Sequence, residues 1–333
     1  MSDLISVIMP AYKSQETIER SVMSVLSQDY KDVELIVVVD GLDDSTYEVC
    51  SKIEDKRLRL FKKENGGVVG AYRYGIKQAK GKYICFCDSD DTYKDGYLTK
   101  AHELITQYKC DFVAFSYDLV NQDGTVQESI RNYSETGFYD KQKIESEIIP
   151  HLVFNSFIRQ NMYVILALRW NKIYTKELID SFVDSLDDKC RQIEDNFFII
   201  NAVLNSNSFY ICNEFKCYNY YVMDSSISRV YSGNQILDAY FYTIECIAQR
   251  IKNCPLIDEH QVDLLAYDNA RIVFHRCARN TDYKTARALL KTIADNKRCR
   301  SVKFYELKML KNYIYHIGLK LHLYYILYLI FEH

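Results

Sequence analysis

Proline is nearly absent from this chain of 333 residues, occurring three times. Proline interrupts helices and central strands, so its scarcity leaves room for long regular elements and says nothing of chemistry. The 11 cysteines include no Cys-x-x-Cys pair, and the Cys and His spacings match no zinc site. Met1-Ser2-Asp3 runs straight into an apolar strand without a secretory leader, so free thiols in a reducing cytosol are expected. A strong charge of one sign is missing too. The formal net charge of −3 lacks the basic field of a nucleic-acid binder. Neither a P-loop nor a Gly-x-Gly-x-x-Gly fingerprint occurs, which leaves ATP hydrolysis and hydride transfer without support. Internal repeats and low-complexity linkers are absent as well. What remains is an ordinary globular composition, 48% apolar and 26% charged, unusually rich in tyrosine at 29 residues.

The first 118 residues alternate strand and helix. Leu4–Met9 is an apolar run that Pro10 is expected to close, and Ser14 is placed to cap a helix bearing Ile18, Val22, Val25 and Leu26. Glu34–Val39 reads as a strand covered on both faces, ending at Asp40-Gly41, with Asp43 or Asp44 capping the next helix. Leu58–Phe61 and Tyr83–Cys87 are further strands, separated by a glycine-rich entry into a helix at Gly66-Gly67 and Gly70. A helix over Tyr97–Tyr108 and a strand at Asp111–Tyr117 follow. Such alternation predicts an α/β fold with a largely parallel sheet, whose ligands bind beyond the carboxyl ends of its strands. Pro10-Ala11-Tyr12, Asp40 and Asp88-Ser89-Asp90 all lie just past strand ends, so three distant segments should meet on one rim.

Three features on that rim carry chemistry. Asp88-Ser89-Asp90-Asp91 sets three carboxylates in four residues. A hard divalent cation relieves their repulsion, and Mg²⁺ or Mn²⁺ commonly shares its shell with substrate phosphates. The alternative is a solvated acidic turn; the position after an apolar strand favours metal. Asp40 is either good turn chemistry with Gly41 or an acceptor for a nucleobase imino group. The glycines around Gly67 let backbone approach a ligand where a helix N-terminus favours anions.

Together these segments resemble the family-2 inverting glycosyltransferases of bacterial surface polysaccharides. The likeness runs in order through Val7–Tyr12, Val38–Ser45, Glu64–Ile76 and Gly81–Asp91, then Trp170–Tyr174, Glu194–Phe198 and Ser226–Ser228. It implies a GT-A fold with a helical C-terminal region, a nucleotide-diphosphate sugar donor, usually UDP-linked, and inversion at the anomeric carbon. By that resemblance Asp40 contacts the base, and Arg73 and Asp88 sit near the diphosphate and ribose. Asp90 is then the principal ligand of Mn²⁺ or Mg²⁺, with Asp88 beside it. Pro10, Ala11, Tyr12, Gly67 and Ser89 line the donor site. Asp195 is the general base, with a helix-cap carboxylate as the plainer alternative and Glu194 as second choice. Trp170, the only tryptophan, either stacks on an acceptor sugar or belongs to the core. The sequence departs from the family's habit at Lys13 and Gln15, where Asn and Glu are common, at Leu42, where Ser is usual, at Tyr74, which replaces an Asn, at Ile193, where Gly often precedes the Glu-Asp pair, and in having no arginine closely before Ser226.

The expected organisation is a donor-binding half over residues 1–118, an acceptor-binding half over 119–230 and a helical region over 231–333. The acceptor is a growing surface glycan or a lipid-linked saccharide, and no nucleic acid is involved. A non-catalytic nucleotide-sugar-binding or scaffold protein is the competing reading. Near the C-terminus, Lys297-Arg298-Cys299-Arg300, Lys303, Lys308 and Lys311 lead into aromatic-aliphatic Tyr313–Phe331. The run Leu321–Phe331 is shorter than the ~20 residues that span a bilayer. These helices either lie on the inner face of the plasma membrane or pack on the chain itself or on a second copy.

Overall fold

The computed structural model describes residues 3–154, 164–222, 234–279, 281–303 and 310–331; the Ser226–Ser228 motif and Lys308 lie outside them. The chain divides into two compact units: residues 1–149 with 164–223, and residues 150–163 with 224–333.

The first unit is built on a mixed sheet. Strands β1 (Ile5–Ala11) and β2 (Val33–Asp40) are buried at every position, as strands covered by helices on both faces must be. They pair in parallel with each other, with β3 (Leu58–Lys63) beyond β2 and β4 (Tyr83–Phe86) beyond β1. Helix α1 (Ile18–Leu26) buries Ile18, Val22, Val25 and Leu26, and α2 (Thr46–Cys50) follows β2. Helix α3 (Gly67–Gln78) packs on β1 and β2, where a Cβ on Gly75 would lie 2.6 Å from the Ile8 side chain. After the short β5 (Thr92–Tyr93) and α4 (Tyr97–Tyr108), β6 (Phe112–Val120) begins the other half of the sheet. It pairs with β7 (Val126–Ile130), β9 (Lys172–Thr175) and the 14-residue β10 (Ser208–Tyr221), and β8 (Gly137–Asp140) pairs with β10. The strand order is β3-β2-β1-β4-β9-β6-β10-β5, with β7 on β6 and β8 on β10. β9 is antiparallel to both β4 and β6, and so joins the parallel β3-β2-β1-β4 block to the rest.

Two expectations about the first strand change. Pro10 does not end β1; it keeps register with Val38, and Ala11 with Val39. Even-numbered residues of β1 face β4, as the Cys87 amide on the Ile8 carbonyl shows, and pairing on that side stops at Ile8. The missing N–H of Pro10 therefore falls where no partner strand is waiting. Ser14 does not cap α1, whose N-cap is Thr17; its hydroxyl bonds that of Ser89 instead, at 2.6 Å. The N-cap of α2 is likewise neither Asp43 nor Asp44 but Ser45, although Asp44 accepts from the Thr46 amide at 2.9 Å.

The second unit is helical among its described residues: α5 (Asn234–Ile251), α6 (His260–Ala278), α7 (Tyr283–Asp295), α8 (Lys297–Ser301), α9 (Leu310–Lys320) and α10 (Tyr324–Phe331). Ala270, Phe274, Leu289, Leu290, Ile293 and Tyr315 form its core. Asp282 caps α7 through the Thr285 amide. Arg298 ties α8 to α5 and α6 by ion pairs with Glu245 and Asp263.

At the edge of the sheet opposite the strand ends that carry the motifs, Glu34 accepts from the Ser6 hydroxyl at 2.5 Å, the Lys80 amide at 2.6 Å and Arg59 at 2.6 Å. Burial pushes its carboxyl up, but these donors outweigh it and hold the group below the ordinary 4.5. The folded state therefore favours the ionised form. That stabilisation is complete above the unfolded chain's value and fades as pH falls through the folded one. Glu34→Gln should cost about 1–3 kcal/mol at neutral pH, and the difference from wild type should shrink as pH falls toward 4, measured by urea unfolding.

Candidate active site

The parallel strands β1, β2 and β4 end on one edge of the sheet, and their following loops are tied to one another. The Lys13 amide donates to Asp44 Oδ2 at 2.5 Å, and the Ser14 amide to Thr46 Oγ1 at 2.8 Å. Thr17 donates to the Ser89 carbonyl at 2.9 Å and Arg20 to the Asp90 carbonyl at 2.7 Å. Three segments remote in sequence thus form one rim. Pro10, Ala11 and Ser89 are buried in it, and Tyr12 is exposed with its ring over Gly41.

Asp40 is buried and engaged with the glycine-rich loop. Its Oδ1 accepts from Lys63 Nζ at 2.7 Å and the Gly66 amide at 2.9 Å, and Oδ2 from the Gly67 amide at 2.7 Å. Asn65 donates to its carbonyl. Gly67 has φ of +82°, and a Cβ there would strike the Arg191 guanidinium. Arg73, on α3, pairs with Asp188 at 2.6 Å, and its buried Nε has no hydrogen-bond partner. Lys63, Arg73 and Arg191 place three cations around this loop.

Asp88 and Asp195 are joined by a residue the motifs did not single out. Arg169, its side chain 3% exposed, bonds Asp88 Oδ1 through one terminal nitrogen and Asp195 Oδ1 through the other. Its guanidinium lies over the Tyr72 ring, 5.3 Å from the centroid. The signal was present in the sequence: Arg169 is the one charged residue in Val164–Trp170, and a buried charge needs a partner of opposite sign. Behind it, Lys172 is buried and donates to the carbonyls of Leu166 and Leu168 and to Asn171 Oδ1, each at 2.7 Å. Burial pulls its ammonium down to about 7. The three acceptors oppose that, since only the ammonium form has three donors. Lys172 thereby fixes the backbone on which Arg169 stands.

The acidic turn is held from the other side by Tyr218, whose hydroxyl accepts from the Asp88 amide at 2.9 Å. Burial pushes the Asp88 carboxyl up to about 6; Arg169 opposes this, while Asp195 and Asp90 add to it. Burial also raises Asp90, against its own amide and the charges of Arg20 and Arg169. Asp91 is buried, accepts from the Tyr221 amide at 2.8 Å and leaves Oδ2 without a partner. Among the described residues no three His, Cys, Asp or Glu side chains already form a metal cluster. A hard cation that shares its shell with phosphates takes one or two protein carboxylates. The raised Asp90 beside Asp88 fits that requirement.

Glu194 and Asp195 open the helix Glu194–Asn205. Burial, then Asp195, push Glu194 up. Trp170 is 2% exposed and stacks on Tyr218 at 4.1 Å, with Tyr117 edge-on at 4.8 Å, so its surroundings are core aromatics. Two of the departures from family habit share one geometry: Lys13 has φ of 51° and Ile193 of 49°. Asn and Gly, common at those positions in the family, are the residues that tolerate this left-handed region.

Residues 6–165 match the model of glycosyl transferase family 2. Among curated proteins, glycosyltransferase GlyA of Streptococcus pneumoniae is 26% identical over 235 residues, 70% of this chain and 32% of that protein. The putative teichuronic acid biosynthesis glycosyltransferase TuaG of Bacillus subtilis is 35% identical over 140 residues, 41% of this chain and 56% of that one. The matches thus span about a third to a little over half of these relatives' lengths. Residues 1–349 of S. aureus TarS, solved with UDP-GlcNAc, share the fold with a TM-score of 0.67 at 20% identity, over 96% of this chain and 89% of that one. The fold is GT-A, with a helical C-terminal region.

Arg169→Gln should destabilise the chain by about 2–3 kcal/mol, less than a fully buried pair would lose because both carboxylates keep some contact with water. Arg169→Lys should recover only part of this, since one ammonium does not reproduce the two-pronged bridge. Denaturant unfolding checks both. Lys13→Asn should raise stability by about 0.5–1 kcal/mol by relieving the left-handed backbone, read as a higher Tm.

Proposed function

We propose that this chain, whose residues 6–165 match glycosyl transferase family 2, is an inverting, metal-dependent enzyme that moves a hexosyl group from a UDP-sugar to a hydroxyl of a growing surface glycan or lipid-linked saccharide. The observation that carries the reading is the pairing, through Arg169, of the acidic turn after β4 with the acidic start of the helix Glu194–Asn205. One carboxylate cluster faces the donor's diphosphate and the other the incoming hydroxyl. Support for the donor and acceptor classes comes from similar proteins: TarS was solved with UDP-GlcNAc, and TuaG is named for teichuronic acid synthesis. The Escherichia coli protein WfaP, 39% identical over 116 residues, 34% of this chain and 45% of that protein, is named as a glucosyltransferase using UDP-Glc and a diphosphoundecaprenol acceptor.

In this reading the uracil end lies near Asp40 and Tyr12, and the diphosphate near Gly67, Arg73 and Asp88. Asp40 acts there through the loop it holds, because its oxygens already bond Lys63, Gly66 and Gly67. Asp90, with Asp88, would hold Mg²⁺ or Mn²⁺, which when bound supplies charge stabilisation to the departing diphosphate. Asp195 takes the acceptor's proton. Arg169 engages its Oδ1, fixing the direction in which Oδ2 faces the hydroxyl. The oxygen so freed attacks the anomeric carbon as its bond to the diphosphate breaks, and one inversion leaves UDP and the new glycoside. Among the described residues no helix is long and apolar enough to cross a membrane. The proposed contact with a lipid-linked acceptor is peripheral, at the inner face of the plasma membrane through the C-terminal helices.

Asp195→Asn should lower the transfer rate about 10²–10⁴-fold while UDP affinity stays within a few-fold, measured by UDP release and by calorimetry. An unchanged rate would remove Asp195 from the base role and leave Glu194 to be tested in the same assay.

A further inference from the structure

The last two helices of the second unit concentrate exposed apolar side chains. Eight of the sixteen exposed large hydrophobics among the described residues lie between 314 and 330. Ile314, Ile317 and Leu321 recur at helical spacing along α9 and its end. Tyr325, Ile326, Leu329 and Ile330 do so along α10, which contains no charged residue. The opposite face of α10 is already used: Leu327 and Phe331 are buried, and Leu327 packs so closely on Gly318 that a Cβ there would meet it at 2.5 Å. The exposed stripe is therefore a second face, beyond what the unit's own core needs.

Cations flank this face. Lys320 Nζ donates to the Arg300 carbonyl at 2.8 Å, which places both residues at the end of α9. Arg287 and Lys291 line a cavity of about 570 Å³ with Leu323, Tyr325, Ile326 and Asp295. Across residues 282–331 the exposed side chains include Lys284, Arg287, Lys291, Lys297, Arg300 and Lys320, against the acids Asp282 and Asp295 among the described residues. Asp282 is engaged as the cap of α7.

We infer that this face rests on an anionic lipid bilayer surface, with the α9–α10 stripe sunk below the headgroups and the flanking lysines and arginines on lipid phosphates. A second copy of the chain fits less well, because a two-fold contact would bring this patch against itself and face the cations with cations. The inference deepens the peripheral contact proposed above and rests on it for location alone, not for the transfer chemistry.

The test is co-sedimentation of the full chain with vesicles of phosphatidylcholine alone or with one third phosphatidylglycerol. Binding to the anionic vesicles should exceed binding to the neutral ones at least ten-fold and fall as salt is raised. Ile326→Glu with Leu329→Glu should reduce it at least ten-fold while UDP release is kept. Arg287→Gln with Lys291→Gln, which leaves the apolar face intact, should weaken binding to anionic vesicles only. Equal partition into the supernatant with both vesicles would overturn the inference. So would a concentration-dependent dimer that the double glutamate variant abolishes. Lost vesicle binding with UDP release intact would leave the transfer reading standing, and the reverse outcome would sink that reading alone.

Discussion

A single buried guanidinium sets the arrangement on which the proposed chemistry depends. Asp88 and Asp195 come from segments more than a hundred residues apart, and two carboxylates brought together out of water repel one another. Arg169, almost without solvent contact, bonds both. Oδ1 of each carboxylate is committed to this one fixed cation. The planar fork of arginine suits this bridging, which a point-charged ammonium does not reproduce.

The fork is itself held. Lys172 spends its three donors on the segment just before Arg169, and Tyr174 donates to the Arg169 carbonyl at 3.1 Å. Beneath lies an aromatic floor in which Tyr72, Phe86, Tyr174 and Phe198 meet edge to face. Strand, loop and helix are thereby locked around one cation, and small errors in side-chain position are hard to make. The rim loops are looser in kind, held by hydroxyls and carbonyls such as the Ser14–Ser89 pair.

The parallel block of β1 to β4 was legible because it obeys local rules. Burial on both faces makes β1 and β2 continuous apolar runs, and parallel pairing puts their ends on one edge whatever lies between. Pro10 misled because whether a missing donor matters depends on which neighbour runs past it, and that is a property of the sheet. Ser14 misled because a hydroxyl that could cap a helix could also reach Ser89. Arg169 was hidden for a different reason: its meaning comes from two partners far away in sequence, and nothing local marks it beyond being a charge in an apolar stretch. Trp170 was left between sugar and core, and its neighbours Tyr218 and Tyr117 become visible only once β10 is laid beside β6. Lys13 and Ile193 gain sense only from their backbone angles.

The proposed account turns on where the nucleoside diphosphate and its cation bind. Anomalous diffraction from crystals grown with UDP and Mn²⁺ addresses that directly. The account predicts one manganese peak bonded to the Asp90 carboxylate and to the UDP diphosphate, with Asp195 facing the same opening from across Arg169. A diphosphate and manganese seated away from the Asp88–Asp90 turn would contradict it.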